Sequence, residues 1–326
     1  MRKKNILVIG SGSIAQRHIR NINKKNFFDI DLYSKSLHQQ NMIKKKFSNL
    51  NIINKKSMKK NYDYMIFANA SHSRYKYFNT FYNQSSKIYF EKPLACSIQE
   101  SKKLKKKRNK ISRDNFVAGF QLRANPLLKK IEKILKANKK NLLYCNLKVG
   151  QNLNLWRKNY DYSKNFFAKN VKYSGVLWEL SHEIDIAYFL FGKPKEVFAR
   201  NFRLMKFKKI PNDYSFVNLN YNKFNINITL DMVYPGFKRE YEFVFKDKII
   251  ILDLKKSEVI LIKNNFKKTL LKLKNFRRNY MFQELIENFL NKKINKYGNF
   301  KDLLENNKLI NYLIESSNKK KVLKYK

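Results

Sequence analysis

The sequence predicts an α/β protein of two domains. Residues 1–122 read as a doubly wound parallel sheet, and residues 123–326 as an α+β domain with a mostly antiparallel open sheet. Three observations predict this. The apolar run Ile6–Ile9 meets Gly10-Ser11-Gly12 and then a helical stretch. Strand and helix patterns alternate as far as about residue 122, the rhythm of βαβ units. From about residue 196 the pattern becomes a series of strands.

In order, Asn5–Ile9 is a buried-strand pattern followed by a helix to about Asn23. Further strands are predicted at Phe28–Tyr33, Asn51–Ile53, Tyr64–Ala68, Ile88–Glu91 and Phe116–Phe120. Helices fall between them at about 37–47, 74–83 and 97–108. A helix from Pro126 to Ala137 then leads into a long strand, Leu142–Gln151, and an irregular aromatic and basic stretch, 152–173. Next comes one continuous helix, Gly175–Phe191, stopped by Gly192 and Pro194. Strands follow at Ser215–Asn220, Asn225–Met232, Tyr241–Phe245, Ile249–Leu254 and Glu258–Ile262. The alternation Asn225, Ile226, Asn227, Ile228 marks a sheet with one buried face. Helices at about 278–291 and 300–316 close the chain and are expected to pack back on the first domain.

Composition narrows the function. The 326 residues carry 71 Lys+Arg against 24 Asp+Glu, a net charge of +47. Such a polycation attracts phosphate whatever its fold. The basic residues, however, are spread along the chain and accompany abundant Asn, Ile, Phe and Tyr, all of which share A/T-rich codons. Base composition therefore accounts for the bias, and no specific nucleic-acid partner is expected. Two cysteines, Cys96 and Cys145, exclude a disulfide scaffold and a four-cysteine zinc site. No apolar run approaches the roughly 20 residues of a membrane span. The apolar run at the start is too short for a secretion signal, so a cytoplasmic location is expected.

Gly10-Ser11-Gly12-Ser13-Ile14-Ala15 fits G-x-G-x-x-[G/A] in the strand–turn–helix context that gives the motif meaning. The first Gly permits the turn, the second admits a pyrophosphate, and the small third residue lets helix and strand pack closely. The helix N-terminus adds free N–H groups and partial positive charge. Ribose selection is read at the end of the second strand, here Tyr33-Ser34-Lys35-Ser36. Ser34 and Lys35 suit a 2′-phosphate, and Asp31 lies within the strand, so the reading tilts to NADP over NAD. Ala68 and Asn69 end the strand at Tyr64–Ala68 and would border the same cofactor. Glu91-Lys92-Pro93-Leu94 also follows a strand, which places Glu91 and Lys92 at the cleft where ligands bind such sheets. Glu179, His182 and Asp185 recur every three residues and would share one face of a continuous helix. Imidazole suits a general base near neutral pH. No second Glu-x-x-His pair exists, so no metal site is expected.

With these motifs in this order, the chain resembles the Gfo/Idh/MocA family of oxidoreductases, named for glucose–fructose oxidoreductase and inositol dehydrogenase. The resemblance rests on Gly10–His18 (GSGSIAQRH), Glu91-Lys92-Pro93, Gly119–Pro126 (GFQLRANP) and Gly175–Gly192 (GVLWELSHEIDIAYFLFG). It implies an N-terminal Rossmann domain holding NAD(P), with a sugar or polyol over the nicotinamide. Lys92 matches the family's motif lysine and His182 its catalytic histidine. Many members carry Asp four residues before that histidine. Here the position is Trp178 and an acid stands at Glu179, a third catalytic candidate.

Residues 150–168 and Leu-Ser-His-Glu-Ile-Asp resemble a branch associated with surface-polysaccharide and acidic-sugar biosynthesis, which implies a sugar or nucleotide-sugar substrate. Arg123 and Arg157 suit bidentate binding of carboxylate or phosphate. Trp156 suits stacking on a sugar ring, and Asp185 completes the substrate candidates. The expected activity is an NAD(P)-dependent dehydrogenase or reductase acting on CH–OH groups, in a homo-oligomer formed through the C-terminal sheet. The alternative is a non-catalytic dinucleotide-binding sensor or partner protein, kept open by Trp178.

Overall fold

The structure, a computed structural model, describes residues 3–25, 27–59, 61–85, 87–108, 115–156, 162, 174–205, 207–264, 266–291 and 296–326. The chain divides into two compact units, Met1–Ala124 with Arg278–Asn307, and Asn125–Arg277 with Lys308–Lys326.

The first unit opens with β1 (Lys4–Ile9), α1 (Ser13–Asn23), β2 (Phe28–Tyr33), α2 (Leu37–Lys46), β3 (Leu50–Ile53) and β4 (Tyr64–Phe67). It continues with α3 (Ser71–Phe81), β5 (Ile88–Glu91), α4 (Ile98–Arg108) and β6 (Phe116–Gly119). The strands form one parallel sheet in the order β3-β2-β1-β4-β5-β6. Its strands are buried on both faces: Ile6–Ile9 are at most 1% exposed, as a parallel sheet covered by helices requires. Ile9 is in register with Tyr33 on one side and Phe67 on the other. The turns after β1, β2 and β4 therefore emerge side by side, at the point where strand order reverses. That is where an open α/β sheet binds ligands.

The second unit contains α5 (Pro126–Asn138), β7 (Leu142–Gln151), α6 (Val176–Glu179) and α7 (His182–Phe191). There follow β8 (Glu196–Phe202), β9 (Tyr214–Asn220), β10 (Asn225–Asp231), β11 (Phe237–Phe245), β12 (Ile249–Asp253), β13 (Glu258–Lys263) and β14 (Phe266–Lys272). The chain ends with α8 (Asn279–Leu290), α9 (Phe300–Lys319) and β15 (Leu323–Lys324). Nine strands make a mixed sheet, β14-β13-β12-β11-β7-β10-β9-β8-β15, in which only β7 and β10 pair parallel. Period-2 alternation buries Cys145, Leu147 and Val149 of β7 with Ile226, Ile228 and Leu230 of β10. The α5 helix packs on β12 and β13, and α6 and α7 pack on β7, β9 and β10. On the opposite side Asn218, Asn227, Asn146 and Glu242 are in register and hydrogen-bond in a row across β9, β10, β7 and β11.

The α8 helix belongs to the first unit. Asn279 exchanges amide hydrogen bonds with Asn21, and the Tyr64 hydroxyl donates to the Leu290 carbonyl at 2.9 Å.

Two elements differ from the sequence expectation in ways that matter. The continuous helix over 175–191 is two helices, α6 and α7, with Leu180 and Ser181 between them. Gly175, at φ +109°, starts the first, and the Ser181 carbonyl accepts from Asp185 to start the second. Edge strands β14 and β15 were not expected: the first is Lys-rich and exposed, and the second is two residues long. Among the described residues no helix is long and apolar enough to cross a membrane.

Candidate active site

In the first unit the turn after β1 is built from glycine geometry. Gly10 leaves β1 at φ +113°, a region L side chains rarely adopt. A Cβ there would also stand 2.7 Å from the Asn69 backbone nitrogen, so the turns after β1 and β4 interlock only because residue 10 is glycine. Gly12 differs. It precedes α1 at φ −69°, ψ 176°, and a Cβ on it would meet nothing within 4 Å. Space lies over it, at a helix start that has no side-chain cap and no acid in its first turn. Asn69 is 8% exposed, and its Oδ1 is buried with no hydrogen-bond partner. The open space at Gly12, the uncapped helix start and the orphaned carbonyl fit the pyrophosphate and a hydrogen-bonding group of a dinucleotide.

Ser11 lies in the turn between β1 and α1, and Ser13 and Ile14 open α1. The Ser11 hydroxyl donates to Gln39 Oε1 at 2.5 Å and accepts from the Ser34 hydroxyl at 2.8 Å. These serines place hydroxyls beside the end of β2. Lys35 is exposed at the same end. Asp31 is 2% exposed and accepts from Tyr62 and Asn51, so it is occupied inside the strand layer. Ala68 donates its N–H to Ile9, closing the β4 turn against β1.

Glu91 ends β5 but does not face open space. Its Oε1 lies 2.7 Å from His18 Nε2, and the Tyr89 hydroxyl donates to it at 3.4 Å. Burial, then the Glu91 charge, pushes the Tyr89 hydroxyl well up from its ordinary value. The Glu91 side chain is 8% exposed, and its carboxylate is taken by His18 of α1. Lys92, the next residue, is partly exposed beyond it.

The second unit carries its own candidate residues on α7. His182 is its first residue and is 8% exposed. Glu183 beside it is fully buried in a bidentate ion pair, Arg239 Nε to Oε1 at 2.7 Å and Nη2 to Oε2 at 3.1 Å. The Tyr241 hydroxyl donates to the same Oε1 at 2.7 Å. Arg239 and Tyr241 are two apart on β11 and so share one face. Burial pulls the Arg239 guanidinium down, but Glu183 and Tyr241 more than reverse this and hold it above its usual range. The trio fixes the first turn of α7, and His182 with it.

The helix break at Leu180 and Ser181 divides the expected common face of Glu179, His182 and Asp185. Glu179 is the partly buried last residue of α6, while Asp185 is on α7, one turn after His182 and 1% exposed. Arg123 is held by groups of its own unit. Its guanidinium is 2% exposed, lies 3.4 Å from Asp302 and donates to the Tyr297 carbonyl. Trp156 is partly buried, and its indole N–H donates to the Gln151 carbonyl at 3.0 Å. Arg157 lies outside the described residues. Among the described residues no three His, Cys, Asp or Glu side chains group to hold a metal.

Sequence reasoning missed Arg239, Tyr241, His18 and Arg74. A carboxylate at 183 within the apolar run HEIDIAYFLF was the one available signal, because a buried charge demands a partner.

A model of the oxidoreductase family with an NAD-binding Rossmann fold, Gfo/Idh/MocA, matches residues 4–117. No curated protein sequence matches the chain significantly. Solved structures with the same fold include the WlbA dehydrogenase from Bordetella pertussis in complex with NADH and UDP-GlcNAcA. It is 14% identical with a TM-score of 0.79, over 100% of this chain and 99% of that one. Myo-inositol 2-dehydrogenase from Lactobacillus plantarum is 15% identical with a TM-score of 0.79, over 99% and 100%. The super-repressor mutant of Gal80p from Saccharomyces cerevisiae is 15% identical with a TM-score of 0.81, over 99% and 97%. Residues 4–117 are thus similar to the NAD-binding Rossmann domain of the Gfo/Idh/MocA oxidoreductase family.

Proposed function

We propose that this protein is a nicotinamide-dependent oxidoreductase that interconverts a hydroxyl and a keto carbon of a sugar or nucleotide-sugar. The observation that carries the reading is the Gly10–Ser13 cradle. Open space stands over Gly12 at the switch point of a sheet ordered 3-2-1-4-5-6, beside the orphaned side-chain oxygen of Asn69. When bound, NAD(P) supplies hydride transfer. The N–H groups opening α1 hold its pyrophosphate, with Ser11, Ser13 and Ile14 shaping the bed. Ser34 and Lys35 take the adenosine ribose and tilt the preference to NADP, since no free carboxylate ends β2. Asn69 and Ala68 border the nicotinamide end.

Lys92 Nζ donates a hydrogen bond to the reacting oxygen and steadies it as charge builds there. His182 takes the hydroxyl proton at Nε2 in the oxidising direction and returns it in the reducing one. Glu179 adds a carboxylate to the catalytic set, and Asp185 binds the substrate's neighbouring hydroxyls. Trp156 extends the substrate site, and the product serves surface-polysaccharide sugar biosynthesis. The neighbour solved with UDP-GlcNAcA supports a nucleotide-sugar. The open face of the nine-stranded sheet, with Tyr144 and Phe216 exposed beside the Asn row, supports self-association.

Trp178 favours one second reading. It is buried at the position where many relatives carry Asp, and a Gal80p variant shares the fold. That reading is a dinucleotide-binding partner protein without turnover. The discriminating experiment is a screen of nucleotide-sugars and free sugars with each nicotinamide cofactor, followed by cofactor absorbance. Turnover with a nucleotide-sugar supports the enzyme, and tight cofactor binding with no turnover on any member supports the partner protein.

A further inference from the structure

Arg74 lies on the first turns of α3, and its side chain is buried, with the residue 4% exposed. Taking a guanidinium out of water costs several kcal/mol unless its surroundings compensate. Among the described residues no carboxylate stands within ion-pair distance of it. Its partners are main-chain carbonyls. Nε and Nη2 both donate to the Asn69 carbonyl, at 3.2 and 2.9 Å. Nη1 donates to the Glu91 carbonyl at 2.6 Å and to the Pro93 carbonyl. Burial lowers the group to about 10, with Glu91 partly opposing, which leaves it charged at neutral pH.

The carbonyls belong to two turns at the carboxyl ends of adjacent strands, β4 and β5. One turn carries Asn69 with its orphaned Oδ1, and the other carries Lys92 between the two carbonyls that Nη1 holds. The Asn69 turn is in turn locked to the cradle, because Gly10 lets it approach within a distance no Cβ would allow. Spacing thus passes from the cradle to Asn69, from Asn69 to Arg74, and from Arg74 to the peptides on either side of Lys92. An apolar side chain would fill the same volume without the cost of a buried charge. Only a planar fork with several donors bridges both turns.

We propose that Arg74 is a positioning residue, which sets Lys92 and Asn69 at a fixed distance from the Gly10–Ser13 cradle. The consequence for chemistry rests on the nicotinamide reading above. The clamp itself does not.

The test compares the full chain with Arg74→Met, which keeps the stem and loses the fork, and with Arg74→Lys. Amide hydrogen exchange is followed by mass spectrometry without ligand, and NADH affinity by fluorescence at high salt. Arg74→Met is expected to speed exchange about tenfold or more in peptides covering 68–71 and 92–95, with β1, β2 and β6 unchanged. NADH binding is expected to weaken by about tenfold, since misplaced contacts lose their geometry. Exchange unchanged in both turns would overturn the proposal. So would faster exchange spread through the whole unit in step with a lower melting temperature, which marks a merely structural residue. If Arg74→Met does not fold, Arg74→Lys carries the same comparison. If the turns loosen as expected but NADH binds neither wild type nor variant, the clamp stands and the cofactor reading fails.

Discussion

Gly10 and Gly12 are two residues apart and make opposite predictions. Gly10→Ala forces a side chain into left-handed φ and against the Asn69 backbone, so it should cost at least about 2 kcal/mol in urea denaturation. Gly12→Val adds its side chain to open space in ordinary backbone geometry. It should leave the denaturation midpoint nearly unchanged while abolishing dinucleotide binding, and normal binding would misplace the cradle. Lys92→Ala and His182→Ala should each lower turnover by about 100-fold or more with cofactor binding retained, read by kcat and NADH titration. The glycines were legible in the sequence because a turn's φ demand is local. The role of Glu91 was not, because its partner His18 is 73 residues away. Nor was the pairing of Arg123 with Asp302, which also lies far off in sequence.

At the scale of elements, α7 depends on a carboxylate that no local pattern explains. Removing Glu183 leaves Arg239 charged and buried, so Glu183→Ala should cost about 3–5 kcal/mol. Tyr241→Phe removes one hydrogen bond to a charged group and should cost about 1.5–3 kcal/mol. Denaturation of each variant and of the double mutant checks this, with coupling expected because both act on Glu183. The strands of the first sheet were legible almost residue by residue, since buried parallel strands are mostly apolar, although Asp29 and Asp31 interrupt β2. The break between α6 and α7 was not, because the apolar pattern runs on through Leu180 while the backbone turns there. Edge strand β14 escaped notice because both its faces are wet and its side chains keep no alternation.

For the whole molecule, charge and burial oppose each other at high pH. Tyr89 and Tyr241 are held neutral by burial, above their unfolded values. Their stabilising contribution is complete below the unfolded tyrosine value of about 10 and is lost as pH rises beyond it, because the unfolded chain then releases protons that the folded chain keeps. Lysine deprotonation in a +47 chain relieves self-repulsion over the same range and acts the other way. High salt screens the second effect and leaves the first. Urea midpoints at high salt should therefore fall between about pH 9 and pH 11, and a flat profile would contradict the burial of these hydroxyls.

The same screening makes cofactor binding a clean test of the central claim, that the Gly10–Ser13 turn is a dinucleotide cradle. The measurement is the melting temperature of the purified protein with NAD⁺, NADH, NADP⁺ or NADPH at high salt, with absorbance of the denatured supernatant as its companion. Mass action raises the melting temperature when a ligand binds only the folded state. The account predicts a salt-resistant rise, larger with the NADP pair, or a nicotinamide cofactor already carried by the protein and released on denaturation. No rise with any of the four and no dinucleotide in the supernatant would contradict it.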